Sequence, residues 1–222
     1  EQIKRGFCFS CPEVTEGVCA DCENKSRIIT EHFIEKLPEI RRLLALDAKA
    51  AFIGDPAAQS VSETIFCYPS ILAMTYHRIA HELYKLQVPL IPRIISEMAH
   101  SKTGIDIHPG ATIGEYFFID HGTGTVIGET CIIGDNVRIY QGVTLGAKSF
   151  PLDENGNPFK NIPRHPVLED DVIIYSGATV LGRITIGRGS EIGGNVWLTD
   201  SIPPKTKVMQ PKPPVTIITD GE

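Results

Sequence analysis

The chain has 222 residues, 42% of them hydrophobic, and a formal charge of −6. That is ample material for a core and the wrong sign for a nucleic-acid surface. No run approaches the roughly 18–20 apolar residues that cross a bilayer, and no signal-peptide pattern opens the sequence, so a cytoplasmic protein with no membrane or nucleic-acid partner is expected. The sequence begins at Glu1 rather than Met, which leaves a preceding segment open.

The first segment, residues 1–23, carries Cys8-x2-Cys11 and Cys19-x2-Cys22. Paired CxxC units suit a tetrahedral thiolate site, so zinc on Cys8, Cys11, Cys19 and Cys22 is one reading. The seven residues between the pairs are fewer than the ribbon spacing of about 15–20, and free or disulfide-linked thiols are the other. Cys67 and Cys131 are isolated, and Cys131 falls on an inward position where a thiol acts as a small hydrophobe.

Residues 24–104 read as a helical domain. Ile28, Ile29, Phe33, Ile34 and Leu37 keep helical spacing, and Pro38 is expected to end or bend that helix. Ile40, Leu43, Leu44 and Leu46 continue an apolar face until Gly54-Asp55-Pro56 breaks it. Ser60-x-x-Glu63 has capping-box form, and Pro69 suits the start of a helix through Leu86. Pro89 and Pro92 then punctuate a short helix ending before Gly104. His77 and His81 share a helix face, but with no third ligand nearby in sequence they are expected to pack or hydrogen-bond. His32, His100 and His108 read as surface or capping residues.

From residue 105 to 202 an aliphatic residue recurs every six positions: Ile107, Ile113, Ile119, then Ile127, Ile133, Ile139 and Leu145, then Leu168, Ile174, Val180, Ile186, Ile192 and Leu198. Small or aliphatic residues follow four positions later, as at Ala111, Cys131, Val137, Val143, Val172, Ala178, Ser190 and Val196. This is the signature of a parallel β-helix, and at three hexads per coil thirteen beats predict about four coils. The helical domain is expected to shield the first coil. Residues 203–222 read as an extended or mobile tail.

The beat breaks twice. Two residues are added around Asp120-His121-Gly122-Thr123-Gly124, and the loop 146–167 ends in Pro163-Arg164-His165-Pro166. Asp106 precedes His121 by slightly less than a coil of about eighteen residues, which places both near one corner. A carboxylate beside an imidazole orients the ring and raises its basicity, the need of a general base. The alternative for an Asp-His pair at a turn is a solvated corner. Glu129, a lone acid in a turn, reads as solvated.

Asp106-Ile-His-Pro-Gly-Ala-Thr-Ile-Gly, Asp120-His121-Gly-Thr-Gly-Thr-Val-Ile-Gly-Glu-Thr, Tyr140-Gln-Gly-Val-Thr-Leu-Gly146 and Arg164-His165-Pro166, with Asp55-Pro56-Ala57 and His77-Arg78-Ile79-Ala80-His81, closely resemble the serine O-acetyltransferases of the hexapeptide-repeat acyltransferase superfamily. The resemblance covers about residues 40–204 and implies an α+β fold, an N-terminal α-helical domain followed by a left-handed parallel β-helix. It implies transfer of acetyl from acetyl-CoA to the L-serine hydroxyl, giving O-acetyl-L-serine for cysteine synthesis. By the same resemblance His121 matches the general base and Asp106 its partner. Asp55, Asp120, Arg164 and His165 match residues that hold the amino acid, and Gly146, Ala147, Ser176, Gly177 and Gly194 match turns along CoA. An oxyanion would draw donors from backbone near Gly146.

The superfamily places sites between protomers, which implies a homotrimer or a dimer of trimers. Feedback inhibition by cysteine through the serine site is common in the family. Family members that dock into cysteine synthase typically end in isoleucine, whereas this sequence ends Gly221-Glu222, so either the chain is trimmed or that complex is absent. Loop 146–167 is longer and less glycine-rich than the family's, with Phe150 and Phe159 candidates for a subunit contact or for shaping CoA access. Phe117-Phe118 adds aromatic bulk near the site.

Three other readings stand beside this one. The acceptor is another small hydroxyl, such as homoserine or a sugar; the chain is a zinc hydratase of the β-helical type; or it is a non-catalytic scaffold. The hydratase needs a His-x4-His pair that 105–202 lacks, and Asp106, His121 and His165 count against a scaffold.

Overall fold

A computed structural model describes residues 1–11 and 20–211. Five helices come first: α1 (Gln2–Phe9), α2 (Ala20–Gly54), α3 (Val61–Cys67), α4 (Pro69–Lys85) and α5 (Ile91–Thr103). The helix α2 crosses the expected boundary at residue 24 and runs 35 residues, straight past the break expected at Pro38. Proline removes one N–H and leaves the carbonyl of Ile34 without its helical donor. That stretch is exposed, so water can take the donor's place. Ser60 caps α3 by accepting the Glu63 amide at 3.1 Å, and the Glu63 carboxylate reaches back to the Gln59 amide at 2.6 Å. Pro69 opens α4, and Gly104, in the left-handed region at φ +69, closes α5.

A parallel β-solenoid follows. Its strands are β1 (Asp106–Ile107), β2 (Thr112–Ile113), β3 (Phe118–Asp120), β4 (Val126–Ile127), β5 (Ile132–Ile133), β6 (Arg138–Tyr140) and β7 (Thr144–Gly146). After the long loop come β8 (Val167–Leu168), β9 (Ile173–Ile174), β10 (Thr179–Leu181), β11 (Thr185–Ile186), β12 (Glu191–Ile192), β13 (Trp197–Leu198) and β14 (Lys207–Val208). They stack in three sheets: β1-β4-β7-β10-β13 (sheet A), β2-β5-β8-β11 (sheet B) and β3-β6-β9-β12-β14 (sheet C).

Each beat residue stacks on the beat residue of the next coil. Ile107, Ile127, Leu145, Val180 and Leu198 form one ladder, and Ile119, Ile139, Ile174, Ile192 and Val208 another. Burying one aliphatic side chain per short strand, at about 25 cal/mol per Å² removed from water, gives the stack its cohesion. Strand β14 pairs with β12 beyond residue 202, so the solenoid makes about five turns rather than four and takes in part of the expected tail. Ser190 fits the apolar interior because its hydroxyl donates to Pro203 O and accepts the Thr206 amide.

The helices cover the first coil through a buried ion pair. Arg78 on α4 grips Asp47 on α2 with two bonds, 2.6 and 2.9 Å, and donates to the carbonyls of Ile113 and Gly114. The Phe117 amide adds a third donor to Asp47 at 3.2 Å. Each desolvated charge is thus matched, the condition under which a buried pair is tolerated. No described helix is long and apolar enough to cross a membrane.

Candidate active site

The functional candidates fall at two corners of the prism. At the turn from sheet C to sheet A, β3 ends in Asp120 and the chain bends through His121, a non-glycine residue at φ +55. Gly122 follows at φ +94, and an added Cβ there would lie 2.5 Å from Ile105 Cδ1, so only glycine lets the turn close. The two added residues thus form a left-handed bend that pushes His121 outward. Its side chain is 76% exposed, and Nε2 lies 3.9 Å from Asp120 Oδ1.

Asp55, just past the end of α2, reaches the same corner. Its Oδ2 accepts from the Tyr68 hydroxyl at 2.5 Å and its Oδ1 from the Ala57 amide at 2.8 Å. Those two bonds, with the charges of His121 and Arg138, hold the Asp55 carboxyl below the usual range despite some burial. The same bond, with burial, pushes the Tyr68 phenol up to about 12, so it remains a donor. Asp106 opens β1 beside this turn, its amide bonded to Thr125 O. Among the described contacts no ion pair or hydrogen bond joins its side chain to His121.

Arg164 and His165 lie elsewhere, at the turn from sheet A to sheet B. His165 is buried, with Nδ1 accepting the Thr130 amide at 3.0 Å. A backbone amide can only donate, so the ring proton of neutral His165 resides on Nε2. The ring fits because residue 128 is glycine: a Cβ there would be 2.1 Å from Cδ2. Burial, then the Arg164 charge, drives the imidazole down to about 4. Arg164 donates to Glu129 at 2.5 Å, and Glu129 also accepts from Tyr84 at 3.1 Å. Burial works against the Glu129 charge, but Arg164 and Tyr84 outweigh it and its pKa is lowered. Glu129 is therefore a half-buried anchor rather than the solvated acid expected. The signal that finds it is stacking: Glu129 and Arg164 are thirty-five residues apart but one coil apart in space.

The CoA candidates divide in the same way. Gly146 and Ala147 lie at the A–B corner, while Ser176, Gly177 and Gly194 lie at the C–A corner on successive coils. A Cβ on Gly194 would sit 3.2 Å from Ser176 O. Loop 146–167 folds into a small hairpin with a Leu152–Pro158 bridge and leaves Phe150 and Phe159 exposed. With Glu129, Pro158, Lys160 and Arg164 they wall a cavity of about 420 Å³.

Other candidates resolve differently. His77 is buried and its Nδ1 has no hydrogen-bond partner, while His81 Nδ1 meets Pro109 O at 2.8 Å. His108 accepts the Gly110 amide and sets its ring edge-on to Tyr84. Cys8 and Cys11 pack against the cluster holding Phe7 and Cys22, and Cys19 lies outside the described residues. Among the described residues no group of three or more His, Cys, Asp or Glu side chains is placed to hold a metal, so the zinc reading gains no support.

The sequence matches the model of the bacterial transferase hexapeptide family (six repeats) over residues 165–200. It is 63% identical over 215 residues to a plasmid serine acetyltransferase of Synechococcus elongatus, covering 95% of this chain and 66% of that protein. It is 51% identical over 160 residues to the serine acetyltransferase of Bacillus subtilis, covering 72% of this chain and 70% of that one. The crystal structure of Entamoeba histolytica serine acetyltransferase 1 in complex with L-cysteine superposes with a TM-score of 0.84 at 42% identity, over 94% of this chain and 73% of that one. The chain thus spans about two thirds of its curated relatives, and by these identities it belongs to the serine acetyltransferase family.

Proposed function

We propose that the protein transfers acetyl from acetyl-CoA to the L-serine hydroxyl, releasing O-acetyl-L-serine and CoA for cysteine synthesis. The observation that carries the reading is the complementarity of the two corners. Asp55 and Asp120 bring two carboxylates to the C–A corner, suited to the serine ammonium, while Arg164 and the Nε2–H of His165 suit its carboxylate. The corners lie at opposite ends of the sheet A strands, so one amino acid meets both only where two copies abut. A homotrimer, or a dimer of trimers, supplies that contact.

His121 at such a contact takes the hydroxyl proton as serine Oγ attacks the thioester carbonyl, with Asp106 assisting from β1. Backbone donors near Gly146 of the adjoining copy stabilise the oxyanion. Collapse expels CoA thiolate, which recovers the proton from His121, and the pantetheine arm follows the small turns at Ala147, Ser176, Gly177 and Gly194. Cys131, whose thiol lies 3.5 Å from Leu145 O, is buried and pushed up to about 12, which disqualifies it as the nucleophile of an acyl-enzyme.

The test is thiol release from acetyl-CoA. Release should require serine, and His121→Ala should lose at least about a hundredfold in kcat, the lower range for a general base. Full retained turnover removes His121 as base; faster release with homoserine or a sugar moves the assignment to another small hydroxyl acceptor.

A further inference from the structure

We propose that Tyr68 and Arg138 are positioning residues for serine, acting through Asp55: Tyr68 orients its carboxylate directly, and Arg138 fixes the end of α2 from which it projects. The inference rests on Asp55 as an ammonium ligand and extends that reading to two residues that would not touch substrate.

A carboxylate on a free loop samples many rotamers, and ordering it on binding weakens affinity. Here both oxygens are engaged beforehand, Oδ1 by the Ala57 amide and Oδ2 by the Tyr68 hydroxyl. Each oxygen keeps a second lone pair for an ammonium N–H. Tyr68 precedes α4 and is half-buried, so its hydroxyl is delivered from a rigid element rather than from the Asp55 loop itself.

Arg138 acts one step further back. It projects outward from β6, with its guanidinium 5.6 Å over the Phe118 ring. It has no acid partner among the described ion pairs. Its contact is the backbone of Gly54, where an added Cβ would come within 2.5 Å of Nη2 and 2.9 Å of Phe118 Cδ1. The last turn of α2 holds no basic residue of its own. A cation packed on that turn complements its free carbonyls, and Gly54 is the residue that allows the approach. Asp55 is the next residue, so whatever fixes Gly54 fixes where the carboxylate starts. The charged and titratable groups facing Asp55 are then Tyr68 from the start of α4, His121 from the β3–β4 turn and Arg138 from β6, while Asp120 of that turn and Glu63 of α3 act on Tyr68.

The test uses the full-length protein in the serine-dependent thiol-release assay, with KM measured separately for serine and acetyl-CoA. Tyr68→Phe should raise the serine KM roughly tenfold, the scale of one charge-assisted hydrogen bond, with the acetyl-CoA KM unchanged. The acid limb of kcat/KM for serine should move to higher pH, because Asp55 loses the donor that favours its charged form. Arg138→Met should raise the serine KM about threefold, a helix-end effect, and Arg138→Lys should recover most of it. Asp55→Asn serves as reference. A raised serine KM in Asp55→Asn, with Tyr68→Phe and Arg138→Met within twofold of the parent, overturns this inference alone. An unchanged Asp55→Asn overturns both it and the ammonium assignment. Equal rises in both KM values, or a fallen Tm, mark a general loosening and also overturn it. If Tyr68→Phe does not fold, the Arg138 Met and Lys pair decides.

Discussion

The two corners of the prism hold their side chains by opposite means. At the C–A corner the turn is strained into the left-handed region, and His121 stands exposed above two carboxylates. At the A–B corner the groups are sunk into the stack: His165 is buried, and Arg164 is tied through Glu129 to Tyr84 of the helical domain. The first arrangement leaves an imidazole and negative charge open at the surface; the second holds a guanidinium and a neutral imidazole already fixed in place. On the proposed reading, neither has the complement it needs within its own chain. In a closed ring of identical subunits one surface serves as donor and the other as receiver at every interface, so a divided site costs the fold nothing.

The sharpest way to break this comparison is to disable one corner in each of two variants. His121→Ala and Arg164→Ala should each be nearly inactive alone. If one site combines the C–A corner of one copy with the A–B corner of its neighbour, denaturing and refolding an equimolar mixture leaves about a quarter of the sites with both corners intact, the random expectation for a cyclic assembly. Thiol release should therefore recover to about a quarter of the wild-type rate. Recovery absent from mixed oligomers, verified by native mass, would mean that each chain carries a whole site.

A smaller effect sharpens the role of the buried corner. Glu129→Gln keeps the shape but removes the charge that fixes Arg164. Serine KM should rise roughly fivefold to tenfold, about 1–1.4 kcal/mol, which is below the 1.5–3 kcal/mol of a charge-assisted bond because solvent screens the half-buried pair. Tyr84→Phe, which removes only the outer neutral bond to Glu129, should change it less than threefold. The reverse ranking in steady-state kinetics would indicate that Tyr84, not Glu129, sets the arginine.

How far the sequence discloses these features depends on the range of the interaction. The solenoid is legible because the beat residues bury themselves in the same way, and up to Leu198 every ladder repeats a spacing visible along the chain. The capping box at Ser60 and the glycine end of α5 are equally local. What stays hidden is set by contacts between distant residues. Asp47 and Arg78 are ordinary charged residues in two helical segments until packing buries them together. Pro38 reads as a break, but the exposure that makes it tolerable is a tertiary fact. The fifth turn is hidden because β14 follows Pro203-Pro204 and Lys205, a composition typical of tails. Of the candidate site, the polar residues at the two breaks are visible, yet their separation onto two corners follows from which sheet each break adjoins. Tyr68, Arg138 and Glu129 become informative only through the neighbours that the coil and the helices bring to them.

The smallest expected effect separates the corners by pH. His165 is held neutral, with a pKa near 4 against an ordinary 6.5, by burial first and by Arg164, His108 and Arg183, with Glu129 opposing. Between those values the unfolded chain binds a proton that the folded chain refuses. Stability from this group is therefore complete above about 6.5 and is lost as pH falls toward about 4. Asp55 also has a lowered pKa, but its window opens only below its ordinary 3.8. Acidification should accordingly loosen the A–B corner before the C–A corner. The urea midpoint should fall between pH 6.5 and 4, and His165→Asn, whose side-chain oxygen can still accept the Thr130 amide, should make that fall shallower. His77, His81 and His108, all lowered chiefly by burial, supply the slope that remains. An unchanged slope in His165→Asn would show that this ring is not the group whose refusal to protonate holds the buried corner together.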